Sequence, residues 1–185
     1  MFDGVVRKLE RAEYFLQHLK DLREEYGSLA SVGRRQQEMR ATLDGFFFEL
    51  VSAKDFFLQG VNDKFVQLPR DEATQISKLK NCLDCRSAIE ALGVVKQLEK
   101  KLSDPSSWLW EINNYRNSAT HRELLPLGLV WSSDTEMVRT YLFKDPEDQL
   151  QGNVDIEVIP YCEQSLDKMK RLLENLYSQL KIQVN

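Results

Sequence analysis

Apolar side chains recur along most of this chain at steps of three and four residues, and this spacing restricts it to packed amphipathic helices. Between Arg35 and Gln59 the step is kept by Met39, Leu43, Phe46, Leu50, Ala53 and Phe57. Steps of three and four place these side chains on one helical face. Three further residues widen that face: Phe47, Phe48 and Leu58. So broad an apolar surface predicts a central helix that is packed on two sides.

The same spacing predicts helices before and after the central one. The first runs from Phe2 to about Tyr26, where Gly27 is placed to end it. We expect Gly60–Arg70 to form a connection. The segment Asp71–Leu102 is predicted to be helical again, and a break near Asn81–Arg86 is left open.

Start and stop residues bound the next helix. Asp104 is an N-cap residue type, and Pro105 suits the first helical position. Pro126 is placed to stop the helix at about Leu124, because the residue before a proline avoids the α region.

The pattern changes after Pro126. The β-favouring segments Leu127–Ser132 and Met137–Phe143, and the alternation across 154–158, predict a hairpin or three strands over about 127–159. Pro160 then opens a final helix, whose apolar stripe is Leu166, Met169, Leu173, Leu176 and Leu180. Together the elements predict an all-α, up-and-down bundle of about five helices with a small β-insertion before the last helix. At 185 residues, one domain spanning 1–185 is expected.

Charge and cysteine content restrict the possible partners and location. A net charge of −4 argues against a large sequence-independent nucleic-acid surface, but it leaves room for a local basic cleft. No apolar run is long enough to span a membrane, and the charged N-terminus does not resemble a secretory signal. Three cysteines, an odd number, suit reduced thiols. We therefore expect a cytoplasmic protein without membrane contact.

The segment INNYRNSATHRELL, residues 112–125, holds the residues best suited to chemistry. Arg116, followed by Asn117 and then by His121, resembles the R-x4-6-H signature of the HEPN superfamily. The segment FFFELVSAKDFFLQGVNDKF, residues 46–65, is similar to second-helix sequences of bacterial HEPN-like proteins of unassigned function.

The resemblance implies a small helical protein, and many HEPN members are metal-independent endoribonucleases. The implied active form is a homodimer, in which the motifs of two protomers line one cleft and cleave RNA. It also implies a toxin–antitoxin, phage-defence or RNA-turnover setting, with an antitoxin as a possible partner. No metal or other cofactor is implied.

The residue types suggest a role for each position. His121 suits general acid/base catalysis, and Arg116 suits stabilisation of the phosphate charge. Attack by the ribose 2′-OH on the adjacent phosphate leaves a 2′,3′-cyclic phosphate. Asn117, four residues from His121 on the same face, would orient the phosphate or the imidazole. Arg122 and Asn113 are candidates for substrate binding.

A structural interpretation of the same residues stays open. Arg116 could form an ion pair with Glu111 or Glu123, and His121 could be a cation at a helix end, where the dipole favours it. The protein would then be a non-catalytic dimeric helical module that binds a nucleotide or a partner protein. The two alternatives differ in whether Arg116 and His121 of two chains converge on a solvent-open cleft.

No metal site is predicted elsewhere. Cys82 and Cys85 form a C-x-x-C pair, but Cys162, His18 and His121 show no spacing that supplies two further ligands. We interpret the pair as structural thiols and His18 as a surface or boundary residue.

Overall fold

The computed structural model describes residues 1–24, 32–121, 127–132, 137–142 and 156–181. The described residues form six helices and three strands. The helices are α1 (Asp3–Glu24), α2 (Val32–Phe65), α3 (Ile76–Cys85), α4 (Ile89–Ser103), α5 (Trp108–His121) and α6 (Val158–Lys181). The strands are β1 (Leu127–Ser132), β2 (Met137–Leu142) and β3 (Ile156–Glu157). The predicted fold class, an all-α bundle with a small β-insertion before the last helix, is confirmed.

The helix count exceeds the prediction because the segment 71–102 divides into α3 and α4. The break falls at Arg86–Ala88, where Ser87 has a φ of 54°. The Ala88 amide donates to the carbonyl of Leu83 across this turn, at 3.0 Å. Lys80 of α3 and Glu99 of α4 then pair at 2.6 Å, which closes the two helices into a hairpin.

The β-insertion is an antiparallel sheet in the order β1-β2-β3. Leu127 pairs with Leu142, and Tyr141 pairs with Glu157. The third strand ends at Glu157, one residue before the end of the predicted alternation, because α6 begins at Val158 and not at Pro160. A proline fits in the first turn, since the amides there have no partner within the helix.

Helix α2 is longer than predicted, and Gly60 lies inside it rather than opening a connection. A Cβ at Gly60 would lie 2.4 Å from a ring carbon of Phe2. The missing side chain therefore lets the Phe2 ring lie on the α2 backbone. The helix ends five residues later, where buried Asn62 accepts from the Leu68 amide at 2.8 Å and donates to its carbonyl at 3.1 Å.

Helices α1 and α2 pack antiparallel, with aromatic rings of one helix lying on glycines of the other. The Gly60–Phe2 contact is repeated by Gly4 with Phe56 and by Gly45 with Phe15. Close backbone approach is the physical use of glycine within a helix, and it outweighs the low helix propensity of the residue here.

Most of the apolar stripes predicted from the sequence form the core. On α2 the buried residues include Met39, Leu43, Phe46, Phe47, Leu50, Ala53, Phe57 and Leu58. On α6 they include Leu166, Met169, Leu173, Leu176 and Leu180. Phe48 is the exception, because 48 % of it is exposed rather than adding to the inner face of α2.

Helix α6 lies antiparallel to α1. Lys20 pairs with Glu163 at 2.6 Å near one end of the two helices. Near the other end, the Phe2 and Tyr177 rings meet edge to face with centroids 5.3 Å apart. Among the described helices, none is both long enough and apolar enough to cross a lipid bilayer.

Helix α5 begins later than predicted. Asp104 does not cap it; its carboxylate accepts from the amide and the hydroxyl of Ser106, at 2.9 and 2.7 Å, and forms a turn. These two bonds hold the pKa of Asp104 below its usual value. The hydroxyl of Ser107 accepts from the Leu109 amide instead, at 3.3 Å. The predicted end at Leu124 and the stop at Pro126 lie outside the described residues, as do Tyr26 and Gly27 at the end of the first helix.

Candidate active site

Helix α5 carries the Arg-Asn…His motif and is held against α2 by its apolar face. Leu109, Ile112 and Tyr115 are buried on that face. Tyr115 stacks on Phe47 of α2, with ring centroids 5.3 Å apart and an interplanar angle of 18°. Since Arg116 follows Tyr115 directly, this stack places the arginine at the edge of the α2–α5 contact.

Asn117 and Asp55 both contact the Arg116 guanidinium. One terminal nitrogen donates to the Asn117 side-chain oxygen at 3.0 Å, and the other lies 3.7 Å from a carboxylate oxygen of Asp55 on α2. The side chain stays 28 % exposed. Asp55 also pairs with the buried Lys54 at 2.8 Å, so its charge is shared between two cations.

Asp55 is a partner that the sequence analysis missed. The alternatives considered there, Glu111 and Glu123, lie on or just beyond the motif helix, whereas Asp55 comes from a helix far earlier in the chain. Only the packing of α5 on α2 brings it near, and no local pattern signals such a contact.

Arg116 lines a solvent-open cleft of about 300 Å³ between α1, α2 and α5. Phe15 of α1 and Phe48 of α2 form apolar walls, and Gly45 lies between them. A Cβ at Gly45 would lie 2.7 Å from the Phe15 ring, so the glycine allows that ring to sit where it does. The cleft therefore offers aromatic surface beside one guanidinium.

Two carboxylates also line the cleft. Glu49 is buried and forms ion pairs with Lys8 at 2.8 Å and with Arg11 at 3.8 Å. Asp44 is half-buried. Because Glu49 is matched by cations of α1, its charge is compensated within the protein.

The structure brings some of the predicted site residues together and leaves others undescribed. Arg116 and Asn117 are in direct contact, and Asn113 is half-buried on the same helix. His121 is the last residue of α5, but its side chain lies outside the described part of the structure, and so does Arg122. On a helix His121 lies roughly 140° around the axis and about 7.5 Å along it from Arg116. The convergence of these two side chains on one site is a prediction.

A buried phenol lies behind the motif. Tyr161 of α6 meets Tyr115 edge to face, with centroids 5.8 Å apart. Burial and the neighbouring carboxylate of Glu111 raise the pKa of Tyr161 above its usual value. The phenol therefore stays neutral at physiological pH.

The C-x-x-C cysteines and the first histidine lie outside the cleft lining. Cys82 is half-buried and Cys85 exposed, and both are free thiols. His18 is exposed on α1, as predicted for a surface residue. Across the part of the chain that is described, no group of three or more His, Cys, Asp or Glu side chains is placed to hold a metal ion.

Comparison with known proteins adds no relative. No family model, curated protein or solved structure matches this chain. The HEPN resemblance therefore rests on the Arg116–His121 motif and on the segment 46–65, and kinship stays a prediction.

Proposed function

We propose that this protein is a metal-independent endoribonuclease of HEPN type that acts as a homodimer. The observation that carries the proposal is the placement of Arg116 at the opening of a solvent-accessible cleft, held by Asn117 and Asp55. A cation held in place before substrate arrives can stabilise developing phosphate charge without reorganising during the reaction.

The proposed reaction uses a general base, a general acid and a cation. An imidazole takes the proton of the ribose 2′-OH, whose oxygen attacks the adjacent phosphorus. The bond to the 5′ oxygen breaks, and that oxygen is protonated as it leaves. The products are a 2′,3′-cyclic phosphate and a 5′-hydroxyl. Arg116 stabilises the charge on the phosphate oxygens throughout.

The proposed site needs the motif residues of two protomers. With Arg116 and His121 about 140° apart around α5, a single helix presents them in different directions. A second α5 across a two-fold axis brings a second imidazole and guanidinium to the same cleft. Two symmetric sites form in this cleft, each with His121 of one protomer beside Arg116 of the other. In each site His121 takes the 2′-OH proton and protonates the leaving oxygen, while Asn117 keeps the guanidinium oriented. Asn113 and Arg122 are proposed to contact the substrate beside them.

A second candidate is a non-catalytic dimeric module, and one observation favours it. Asp44 lines the cleft beside Arg116, and Asp55 already forms an ion pair with it. Carboxylates near a phosphate site weaken anion binding, and an Arg116–Asp55 pair joining α5 to α2 is by itself a structural role.

RNA cleavage in excess EDTA separates the two candidates. Purified protein is incubated with mixed cellular RNA, in parallel with Arg116→Ala and His121→Ala, and the product ends are analysed. We expect cleavage that leaves 2′,3′-cyclic phosphates in the wild type and is lost in both variants.

Matched controls are His18→Ala and Arg171→Ala, both at exposed positions that do not line the cleft. Both should cleave like the wild type. Equal cleavage by all five proteins would reveal a contaminating nuclease, and an intact dimer without cleavage would favour the non-catalytic module. A toxin–antitoxin or defence setting is part of the proposal only through the family resemblance.

A further inference from the structure

Two phenylalanines of α2 face solvent, in contrast to three rings on that helix that lie in the core. Phe48 is 48 % exposed and Phe56 is 38 % exposed, whereas Phe46, Phe47 and Phe57 are fully buried. Two partly exposed rings leave apolar surface that a ligand can cover.

A lysine of α1 joins the two exposed rings. The Lys8 ammonium lies 5.4 Å from the Phe48 ring centroid and 5.5 Å from that of Phe56. Its ion pair with the buried Glu49 holds it between them. The α1–α2 groove, as we name it, is the surface formed by Phe48, Lys8 and Phe56 together with the cavity at each end.

The two cavities are contiguous with these rings. Phe48 lines the cleft of about 300 Å³ that contains Arg116. Phe56 lines a larger cavity of about 540 Å³, whose other walls include Lys64 and Arg70. Since Lys8 contacts both rings, the cations and aromatic rings alternate from Arg70 to Arg116.

The charge of the groove differs from that of the whole chain. Among the described residues that form it there are four cations and three carboxylates, a balance of +1 in a chain whose net charge is −4. The cations are Lys8, Lys64, Arg70 and Arg116, and the carboxylates are Asp44, Glu49 and Asp63.

We propose that the α1–α2 groove binds single-stranded RNA and leads it to Arg116. Alternating rings and cations suit an unpaired strand, because bases stack on the rings while the cations follow the phosphates. A duplex has its bases already stacked and offers no free base face to Phe48 or Phe56. The destination of the strand rests on the proposed ribonuclease function, but binding to the groove is measurable without cleavage.

Fluorescence anisotropy with an uncleavable ligand tests the groove directly. The probe is a labelled 2′-O-methyl oligoribonucleotide of about 12 nucleotides, within the size range of single-strand sites. It lacks the 2′-OH that the proposed reaction needs, so binding is independent of catalysis. A hairpin duplex of the same strand length serves as the paired ligand.

The ring variants are Phe48→Leu and Phe56→Leu, which keep apolar bulk but remove the stacking surface. We expect each to weaken single-strand binding roughly tenfold, the effect of losing one base stack. The matched control is Tyr14→Leu, at an aromatic residue that is 70 % exposed and lines neither cavity, and it should bind like the wild type. Circular dichroism melts confirm that each variant is folded.

The charge variants are Lys64→Gln and Arg70→Gln, compared with Lys168→Gln at an exposed position on α6. If Lys64 and Arg70 each contact a phosphate, removing either charge reduces the slope of log K against log salt concentration by about 0.7 in magnitude. The Lys168→Gln control leaves that slope unchanged.

Several outcomes would overturn the inference. The first is a wild-type protein that does not bind the single strand, and the second is a wild-type protein that binds the duplex as tightly as the single strand. The third is an affinity for the single strand that is unchanged in both ring variants. Ring-dependent binding without any effect of Lys64 or Arg70 on the salt slope would point to an apolar protein segment as the occupant, and it too would overturn the proposal. Groove binding without cleavage of ordinary RNA would support the groove and count against the ribonuclease, so the two failures are distinguishable.

Discussion

Three consecutive phenylalanines on α2 differ in their burial. Phe46 and Phe47 are fully buried, and Phe47 stacks on Tyr115 of the motif helix. Phe48, one residue further, is 48 % exposed and contacts Lys8 across the groove. A step of about 100° per residue turns the third ring away from the core. The same residue type therefore holds the fold on one side of α2 and leaves a surface for binding on the other.

A helix with a wide apolar face is therefore not necessarily buried on every side. Helix α2 contacts α1, α4, α5 and α6, which cover its core side. The exposed sides of Phe48 and Phe56 lie beside α1, where Lys8 contacts both rings and Gly4 lies against Phe56. The difference between the two sides can be tested by substitutions on each.

The largest expected effect separates Phe47 from Phe48. Phe47→Ala should lower the free energy of unfolding by about 3–5 kcal/mol, because it leaves a cavity beside Tyr115. Phe48→Ala should cost less than about 1 kcal/mol, since the ring is half exposed already. Urea denaturation measures both, and similar losses in the two variants would remove the distinction between the sides.

The second-largest expected loss of stability is at Asn62, which is buried near the C-terminal end of α2. Asn62→Ala removes both hydrogen bonds to Leu68 and leaves its backbone groups without those partners, which should cost about 2–3 kcal/mol. Asn81→Ala, at an exposed position on α3, is the matched control and should change stability by less than about 0.5 kcal/mol. Thermal melts of the two variants measure the contrast, and equal melting temperatures would contradict the role of Asn62.

Two glycines in helices should respond with opposite signs to alanine. Gly60→Ala places a Cβ against the Phe2 ring and should destabilise by about 1–2 kcal/mol, despite the better helix propensity of alanine. Gly93→Ala on α4 meets nothing within 4 Å and should stabilise by about 0.5–1 kcal/mol. Stabilisation by both substitutions in chemical denaturation would show that the Phe2 contact does not constrain α2.

The smallest expected change in stability comes from Asp55→Asn. Its carboxylate is 22 % exposed and pairs with Lys54 and Arg116, and an asparagine oxygen can still accept from both. We expect a loss of about 1 kcal/mol or less, because partly exposed ion pairs contribute little. The proposed ribonuclease activity should fall further than the stability, since Arg116 loses a charged partner that holds it. An activity that follows stability alone would exclude a positioning role for Asp55.

Periodicity predicted the helices and most of the core, because three-and-four spacing reports directly on which side is buried. Gly60 was misjudged because a glycine near a helix end signals a stop, whereas here the Phe2 ring occupies the space of its missing side chain. The start of α5 was misjudged at Asp104 because an Asp-Pro pair can open either a helix or a turn, and two hydrogen bonds from Ser106 select the turn.

The candidate site was only partly accessible from the sequence. The motif and its helix follow from local pattern, and Arg116 does touch Asn117 as neighbours on that helix can. The Asp55 partner, the Lys8 contacts with Phe48 and Phe56, and the cleft itself depend on packing between helices distant in the chain. No local spacing encodes those contacts.

Mixing two inactive variants tests the central claim, a ribonuclease site built from the α5 helices of two protomers. Arg116→Ala and His121→Ala proteins are combined under conditions that allow subunit exchange, and RNA cleavage in EDTA is compared with each variant alone. The account predicts restored cleavage, up to about a quarter of the wild-type rate, because half of the dimers are mixed and one of two symmetric sites in each keeps both residues. A mixture as inactive as its components, despite confirmed exchange and an active wild type, would contradict a site shared between protomers.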